Sequence, residues 1–289
     1  MSLSVKRLMR DYKYVKNENL EEQGLYCIMN EENIYEIKAM VVGPKDTPYE
    51  GGFYFFLLKF SKEYPHKPPS ITFHTLDNRV RFNPNYYKCG KVCLSILGTW
   101  AGPGWTSCMN LNTILLILQT RLNEMPIQNE PGYENNKGKY AKDYNEVLKW
   151  YNLEVAVAKV KNELPPGFKD FKPCVIKEFE NNKEYYTNYL NKIKENEGKK
   201  IKSRFFSIEA LLRPKTLLEQ LGLENEIEKE SKKISKKTKA CGCQPSVRKV
   251  PNEKASSFEL GTIKVSETTG KEYVVTLRKD NRKYWKRKN

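Results

Sequence analysis

The chain has 289 residues, 39% of them hydrophobic and 30% charged, which is enough for one core with an appendage or for two modest domains. It lacks the uninterrupted apolar run of about eighteen residues that a membrane-spanning helix needs, which argues against a membrane protein. Residues 231–289 carry most of the net charge of +16, with 17 Lys and Arg against 5 Asp and Glu. A basic binding segment explains this excess, and a codon bias toward lysine is the alternative.

The N-terminus predicts an amphipathic helix rather than a secretion signal, because apolar residues recur at helical spacing from Val5 to Val15. Ser4 is its expected N-cap. The seven cysteines are odd in number and scattered along the chain. An intracellular, reducing setting, cytoplasmic or nuclear, is therefore expected.

Four strand-like segments follow, separated by turn signals: Leu25–Met29, Ile34–Val42, Phe53–Phe60 and Ser70–Phe73. An aperiodic stretch over residues 76–104 comes next, and such a stretch in a compact domain is usually functional. Helical spacing returns over Leu111–Leu122, with Asn110 as the N-cap, and over Tyr133–Lys161. Strands first and helices second predict an α+β fold.

The C-terminal third predicts three further segments. Residues 174–196 and 207–230 have helical spacing, whereas residues 231–257 are rich in Lys, Ser and Pro and predict a flexible linker. Strands over 262–265, 272–277 and 283–285 predict a small meander. The predicted organisation is a core over 1–160, a helical extension over 161–230, the linker over 231–257 and a small basic β-meander or tail over 258–289.

Cys93 is the cysteine that the aperiodic stretch singles out. A Cys–His hydrolase is disfavoured, because neither His66 nor His74 lies in a motif that pairs with a thiol. A zinc site is disfavoured too, since the cysteines do not form paired knuckles. A cysteine that carries an acyl group needs instead a donor for the oxyanion, and Asn85 in Asn83-Pro84-Asn85 is the candidate. A plain turn is the alternative for that motif.

Four motifs occur in order along this part of the chain: Val42–Gly52, Tyr64–Pro69, Asn83–Asn85 and Gly90–Leu94. Together they resemble the ubiquitin-conjugating (E2) family over roughly residues 1–160. The sequence is most similar to large E2 enzymes that have a Gly-Pro insert after the active cysteine, here Cys93–Trp105, and a helical extension to about residue 230. The segment 129–134 resembles the same subgroup.

The resemblance implies the ubiquitin-conjugating fold, with an N-terminal helix, a four-stranded antiparallel meander and C-terminal helices. It implies that Cys93 accepts ubiquitin or a ubiquitin-like modifier from an E1 enzyme as a thioester and passes it to a substrate lysine, usually with an E3 ligase. Asn85 would stabilise the oxyanion or hold the active-site loop, supported by Asn83, Pro84 and Ser95. The chain itself would need no cofactor, because the E1 consumes the ATP.

The resemblance also implies partner contacts. The basic face of the first helix would meet the E1 and overlap the E3 footprint, through Lys6, Arg7, Arg10 and Lys13. The E3-facing loops hold His66 and Ser107-Cys108 in place of the usual apolar residue and Ser-Pro-Ala, so common RING-type ligases would bind poorly. Trp100 and Trp105 flank the insert and either shield the thioester, contact ubiquitin or belong to the local core.

Two positions depart from the family pattern. The usual His-Pro-Asn is Asn83-Pro84-Asn85, a change at a position thought to be structural. Ser95 stands where many E2 enzymes have Asp, and the acidic position after the helix aligns near Met125. We hypothesise that Glu124 replaces the missing acid and helps to deprotonate the incoming lysine. A helix-end carboxylate without a catalytic part is the alternative.

A binding role is the rival to the enzyme. In the last segment, basic residues interleave with Tyr273, Tyr284 and Trp285, which suits nucleic acid or an acidic partner, while a solvated tail is the alternative. A non-catalytic E2-like adaptor would bind ubiquitin or nucleic acid without forming a thioester. The presence of Cys93 in its full motif favours the enzyme.

Overall fold

The computed structural model describes residues 2–224, 255–265, 271–277 and 282–288. They belong to two compact units, Met1–Asn225 and Glu226–Asn289. The segment predicted as an extension therefore lies, up to residue 225, in the same unit as the predicted core. The predicted linker over 231–257 lies outside the described residues, apart from the 3₁₀ turn Ala255–Ser257.

The N-terminal helix α1 spans Leu3–Asn17 and buries Leu8 and Val15. Ser2 is the N-cap, because its Oγ accepts a hydrogen bond from the Val5 N–H at 3.3 Å. The helix therefore begins two residues earlier than a cap at Ser4 would place it. The prediction that Ser4 is the cap is wrong: Ser4 is buried inside the helix, with its Oγ 3.0 Å from the Tyr35 hydroxyl.

The central sheet has four antiparallel strands in the order β1-β2-β3-β4: Leu25–Met29, Glu36–Val42, Phe53–Lys59 and Ser70–His74. Ala39 pairs with Phe56, and Phe56 with Phe73, so one row of apolar side chains crosses the sheet. The predicted meander and the α+β fold class are confirmed.

The helices after the sheet begin where local polar groups allow. Helix α2, Leu111–Thr120, starts at the predicted cap, since Asn110 Oδ1 accepts from the Thr113 N–H at 2.9 Å. Helix α3, Lys139–Tyr151, begins later than the predicted Tyr133, because the chain turns at residues 133–138, where Asn136 Oδ1 accepts from the Gly138 N–H. It continues through the π-helical Asn152–Lys159 into α4, Val160–Asn162.

The extension contains helix α5, Lys172–Lys192, a hairpin of strands β5, Lys200–Ser203, and β6, Ile208–Leu211, and helix α6, Pro214–Leu221. The helix predicted over 207–230 is wrong at its start, because burial in β6 alternates with the two-residue period of a strand. The buried leucines at helical spacing that belong to a helix, Leu217, Leu218 and Leu221, lie in α6. Residues 225–230 of that prediction lie outside the described residues.

Both faces of the sheet are covered around Phe55 and Phe56, whereas Lys59, Ser70 and Thr72 at one end are exposed. Phe55 and Phe56 are neighbours on β3 and so point to opposite sides. The Phe55 ring packs at 5.3 Å from Phe168 and 6.1 Å from Phe171, both of which precede α5 or lie at its start. The Phe56 ring packs at 5.0 Å on Tyr86, whose hydroxyl donates to the Leu118 carbonyl of α2. The extension therefore covers the part of one face around Phe55, and α2 lies on the other face.

The C-terminal unit is a three-stranded antiparallel sheet in the order β7-β8-β9, formed by Ile263–Val265, Glu272–Leu277 and Lys283–Arg287. The Trp285 ring packs at 5.6 Å from Phe258, and Lys264 Nζ lies 4.4 Å from the centre of the Phe258 ring. The predicted small basic meander is confirmed.

Across the described ranges of both units, no helix has the length and apolar character needed to cross a membrane.

Candidate functional site

Asn83-Pro84-Asn85 forms a buried turn directly against Cys93. Asn85 Nδ2 donates to the Cys93 carbonyl at 2.7 Å, and the Cys93 N–H donates to the Asn85 carbonyl at 2.9 Å. Asn83 Oδ1 accepts from the Asn85 N–H at 2.9 Å and so closes the turn. The structure thus brings the predicted pair, Asn85 and Cys93, into reciprocal contact.

Asn83 anchors the turn to the rest of the core. Its fully buried amide donates to the Tyr49 hydroxyl at 3.0 Å and to the Arg121 carbonyl, at the end of α2, at 2.7 Å. Burial raises the pKa of the Tyr49 phenol well above its ordinary value, so its hydroxyl stays protonated and donates to the Phe82 carbonyl. Asn83 therefore stabilises the turn next to Cys93 through hydrogen bonds to the surrounding core.

Cys93 is only 2% exposed, and Thr99 clamps the chain on both sides of it. Thr99 Oγ1 accepts from the Leu94 N–H at 3.0 Å and lies 3.0 Å from the Val92 carbonyl and 3.2 Å from the Leu94 carbonyl. Sequence reasoning missed Thr99, although the residue lies in a motif that already pointed to the E2 subgroup. A hydroxyl in the first turn after the cysteine was the available signal.

The insert after Cys93 folds back on the predicted support residue Ser95. Ser95 begins the 3₁₀ turn Ser95–Leu97, and a Cβ added at Gly102 would lie 3.1 Å from Ser95 Cβ. Trp105 Nε1 donates to the Pro65 carbonyl at 2.6 Å, and its ring packs on Tyr64. Trp105 thus joins two loops of the local structure, and Trp100 is half-buried.

The two acidic residues after α2 differ in setting. Glu124 is exposed, and its carboxylate has no hydrogen bond or ion pair with another described residue, while its carbonyl accepts from Asn145. Glu130, which sequence reasoning missed, has a buried Oε2 atom without a hydrogen-bond partner. Its neighbour Asn129 donates at 3.0 Å to the same Arg121 carbonyl that accepts from Asn83. The segment of Glu130 is therefore held next to the turn Asn83–Asn85, which we call the active turn.

The predicted partner-contact residues on α1 fall into two groups. Lys6, Arg10 and Lys13 are exposed. Arg7 is 16% exposed, and its guanidinium is engaged within the chain. It donates to both Asp11 carboxylate oxygens at 2.9 Å, to the Ser107 carbonyl at 3.0 Å and to the Met109 carbonyl at 2.8 Å.

The two predicted loop contacts meet next to α1. Ser107 Oγ lies 3.3 Å from His66 Nδ1, and His66, Ser107 and Cys108 are all exposed. Since Arg7 bonds the Ser107 carbonyl, the helix and both loops form one continuous surface. We call this surface, made of Lys6, Arg10, Lys13, His66, Ser107 and Cys108, the α1-loop surface.

An open groove of about 530 Å³ runs beside the cysteine loop, next to β4. It is lined by Pro68–Thr72, Cys89–Val92, Leu97 and Thr99. Lys91 bridges to Thr72 of β4, so the groove lies where the cysteine loop joins the sheet. No group of three or more His, Cys, Asp or Glu side chains is arranged for a metal within the described ranges.

Residues 7–153 match the model of the ubiquitin-conjugating enzyme family. The chain is 40% identical to ubiquitin-conjugating enzyme E2 Z of Xenopus tropicalis, over 54% of this chain and 50% of that protein. It is 37% identical to the enzyme of the same name from Homo sapiens, over 63% of this chain and 51% of that protein. The chain thus spans about half the length of these relatives.

Proposed function

The chain belongs to the ubiquitin-conjugating enzyme family, and on that premise we propose that it is an E2 enzyme that carries ubiquitin or a ubiquitin-like modifier as a thioester on Cys93. The observation that carries the proposal is the pair of hydrogen bonds between Asn85 and Cys93. These bonds place an amide donor at the residue where the acyl group would be held. The reaction takes place in a reducing, intracellular setting, and ATP is consumed by the E1 rather than by this chain.

The proposed reaction has two acyl transfers. First, the Cys93 thiolate attacks the carbonyl carbon of the modifier thioester on the E1; a new C–S bond forms and the E1 thiolate leaves. Next, the nitrogen of a substrate lysine attacks that carbonyl. The amide C–N bond forms, the C–S bond breaks, Cys93 leaves as the thiolate, and the proton of the amine passes to a base. Each transfer passes through an oxyanion.

Asn85 has two N–H groups on its amide, and one of them holds the Cys93 carbonyl. The second serves the oxyanion of each tetrahedral intermediate. The same side chain thus fixes the loop at rest and stabilises charge during transfer. Asn83 and Pro84 keep the turn in place for both tasks.

For the base, we propose Glu130 as a second candidate beside Glu124. The buried Oε2 of Glu130 has no partner and lies in a segment fastened to the active turn, whereas Glu124 is exposed. Glu130→Gln and Glu124→Gln are a matched pair, compared by the rate of discharge to free lysine after charging. Slower discharge in one variant alone, about 10²-fold or more, identifies the base. Equal rates in both variants and the unmodified chain exclude both carboxylates.

Charging with purified E1, ATP and a panel of modifiers tests the enzyme itself. We expect an adduct that thiol reductant removes. Cys93→Ser should give an adduct that resists reductant, because an oxygen ester is not cleaved by thiol exchange, and Cys93→Ala should give none. Cys89→Ser is the matched control, since Cys89 is exposed and only four residues away. If the unmodified chain is never charged, the adaptor alternative replaces the enzyme.

The α1-loop surface is the proposed contact for E1 and E3. Its exposed Lys6, Arg10 and Lys13 present positive charge to acidic groups of a partner, whereas Arg7 contributes by holding the loop. Arg10→Glu should slow charging by the E1, with Lys16→Glu on the same helix as the control. Equal charging rates for the two variants would contradict this assignment.

The segment 231–289 is proposed to hold the enzyme near a polyanion such as nucleic acid. Its excess of 17 basic over 5 acidic residues supports a phosphate contact. The Trp285 ring packs on Phe258 within this unit. The proposed contact with nucleic acid therefore rests on the positive charge of the segment, and not on stacking of Trp285 on a base. Deleting residues 231–289 should abolish salt-dependent retention on a polynucleotide column. Unchanged retention would leave the segment as a solvated tail or an acidic-protein contact.

A further inference from the structure

The tip of the β5–β6 hairpin lies on the arginine that holds the active turn. The centre of the Phe206 ring lies 4.2 Å from Arg81 Cζ, and the centre of the Tyr87 ring lies 3.7 Å from the same atom. Two aromatic rings, one from the extension and one from the cysteine loop, therefore contact a single guanidinium. Arginine suits this place because its planar cation stacks on aromatic faces.

Arg81 connects these rings to the turn. Its Nη2 donates to the Pro84 carbonyl at 2.5 Å, and its own carbonyl accepts from the Tyr144 hydroxyl at 2.8 Å. Pro84 directly precedes Asn85, whose amide holds the Cys93 carbonyl. An unbroken series of contacts thus runs from Phe206 through Arg81 and Pro84 to the two predicted active residues.

The hairpin tip is built to hold its shape. Phe206 has φ 58° and Ser207 has φ 48°, a left-handed backbone that residues other than glycine rarely adopt. Ser203 Oγ accepts from the Phe205 N–H at 3.1 Å, and the Phe205 ring packs at 5.0 Å on Tyr144. Such a backbone persists only where its surroundings determine it, so the contacts fix the direction of the Phe206 ring.

We propose that Phe206 and Arg81 are positioning residues for the transfer reaction, and that the hairpin of the extension keeps Asn85 in register with Cys93. This rests on the proposed function. The Phe206 ring covers the guanidinium and excludes water from its bond to Pro84, which strengthens that bond. Without the ring the turn loosens, and the amide of Asn85 no longer meets the oxyanion at the right distance.

Two measurements on the full chain test this, one of them independent of activity. The first is amide hydrogen exchange of residues 83–94 in the uncharged protein. The second is single-turnover discharge of the charged protein at several lysine concentrations. The variants are Phe206→Ala, Phe206→Leu, Phe206→Tyr and Arg81→Lys. Phe179→Leu is the control, since Phe179 is a buried aromatic residue of the same extension that packs on Tyr186.

We expect Phe206→Ala, Phe206→Leu and Arg81→Lys to raise exchange in residues 83–94 about tenfold. Their maximal discharge rate should fall by about tenfold or more, with the lysine concentration at half-maximal rate unchanged. Phe206→Tyr, which keeps the aromatic face, should preserve both values. Phe179→Leu shows what the loss of a buried ring elsewhere in the extension does to both values, so it separates a general loss of stability from the proposed positioning.

The proposal is overturned if the exchange and the discharge rate of Phe206→Leu stay within about twofold of the unmodified chain, or if Phe179→Leu has the same effect. Should Phe206→Ala fail to fold, Phe206→Leu and Arg81→Lys decide the outcome alone. If the unmodified chain cannot be charged at all, the proposed function fails. The exchange measurement then still decides whether the hairpin holds the turn.

Discussion

Replacing Asn85 by alanine is the substitution with the clearest expected consequence for catalysis. The side chain is 2% exposed, and its Nδ2 bond to the Cys93 carbonyl is 2.7 Å long. Alanine leaves that buried carbonyl without this donor, which should lower the free energy of unfolding by about 1–3 kcal/mol. The bond from the Cys93 N–H to the Asn85 carbonyl belongs to the backbone and survives.

The loss in rate should exceed what the loss in stability explains. Removing one oxyanion donor typically slows acyl transfer by about 10²–10³-fold, or roughly 3–4 kcal/mol of activation free energy. The assay charges the chain, stops the E1 and follows discharge to free lysine in a single turnover. Chemical denaturation of the same sample gives the stability.

Asn152→Ala is the control for a lost buried amide. Asn152 is 1% exposed, accepts from the Tyr54 hydroxyl at 2.6 Å and donates to the Glu50 carbonyl at 2.8 Å. We expect Asn152→Ala to lose comparable stability and to discharge at the normal rate. If Asn85→Ala discharges within about threefold of the unmodified chain while folded, Asn85 is not an oxyanion donor, and only its structural part remains.

Three further predictions concern stability. Phe171→Ala should lower the free energy of unfolding of residues 1–225 by about 3–5 kcal/mol, because Phe171 is fully buried. In urea denaturation this unit should still unfold in one cooperative transition. A separate, earlier transition of the extension would contradict this prediction. Arg7→Lys should lower the free energy of unfolding by about 2 kcal/mol, because lysine cannot make all the hydrogen bonds of the guanidinium to Asp11 and the loop carbonyls. Arg10→Lys is the control: Arg10 is 72% exposed, so this change should alter the free energy of unfolding by no more than about 0.5 kcal/mol, as measured by thermal denaturation. Burial alone would raise the pKa of Asp77, but hydrogen bonds from Arg79 and Lys159 outweigh it and hold that pKa well below its usual range. The ionised carboxylate therefore stabilises the fold above about pH 4, and this contribution is lost as the pH falls. We expect the unmodified chain to exceed Asp77→Asn in free energy of unfolding by about 1–3 kcal/mol at neutral pH, and this difference should disappear in acid. A difference that does not change with pH would contradict this explanation.

The strands of the sheet and the start of α2 were predictable because residues of the local sequence mark their ends. Turn residues around Asn30 and between Gly43 and Gly52 separate the strands, and Asn110 caps α2 through its own side chain. Asn85 was the candidate donor because Pro84 holds it in a turn close before Cys93 in the chain, and the family resemblance favoured that role over a plain turn. Those parts of the fold and site needed no knowledge of distant contacts.

The parts that escaped prediction depend on distant contacts or on very short patterns. Strand β6 alternates over only four residues, Ile208–Leu211, next to leucines that suit a helix, so β6 was predicted as part of the helix over 207–230. Arg7 and Arg10 look equivalent on the helix face, and only the position of the Ser107 loop shows that Arg7 is engaged. Arg81 and Glu130 gain their places through residues far away in the chain, which no local spacing reveals.

The aromatic contacts between Phe55 and the pair Phe168 and Phe171 constrain how this molecule can be shortened or can evolve. A fragment ending at residue 160 would expose Phe55 and its neighbour Met40 to water, and an exposed apolar patch on a sheet favours aggregation. A larger or smaller residue at Phe55 requires a compensating change on the helix side, so the two regions should covary among relatives. A protein that docks on this unit cannot reach the sheet around Phe55 and Phe56, and therefore has to contact the helices, the loops or the exposed end of the sheet.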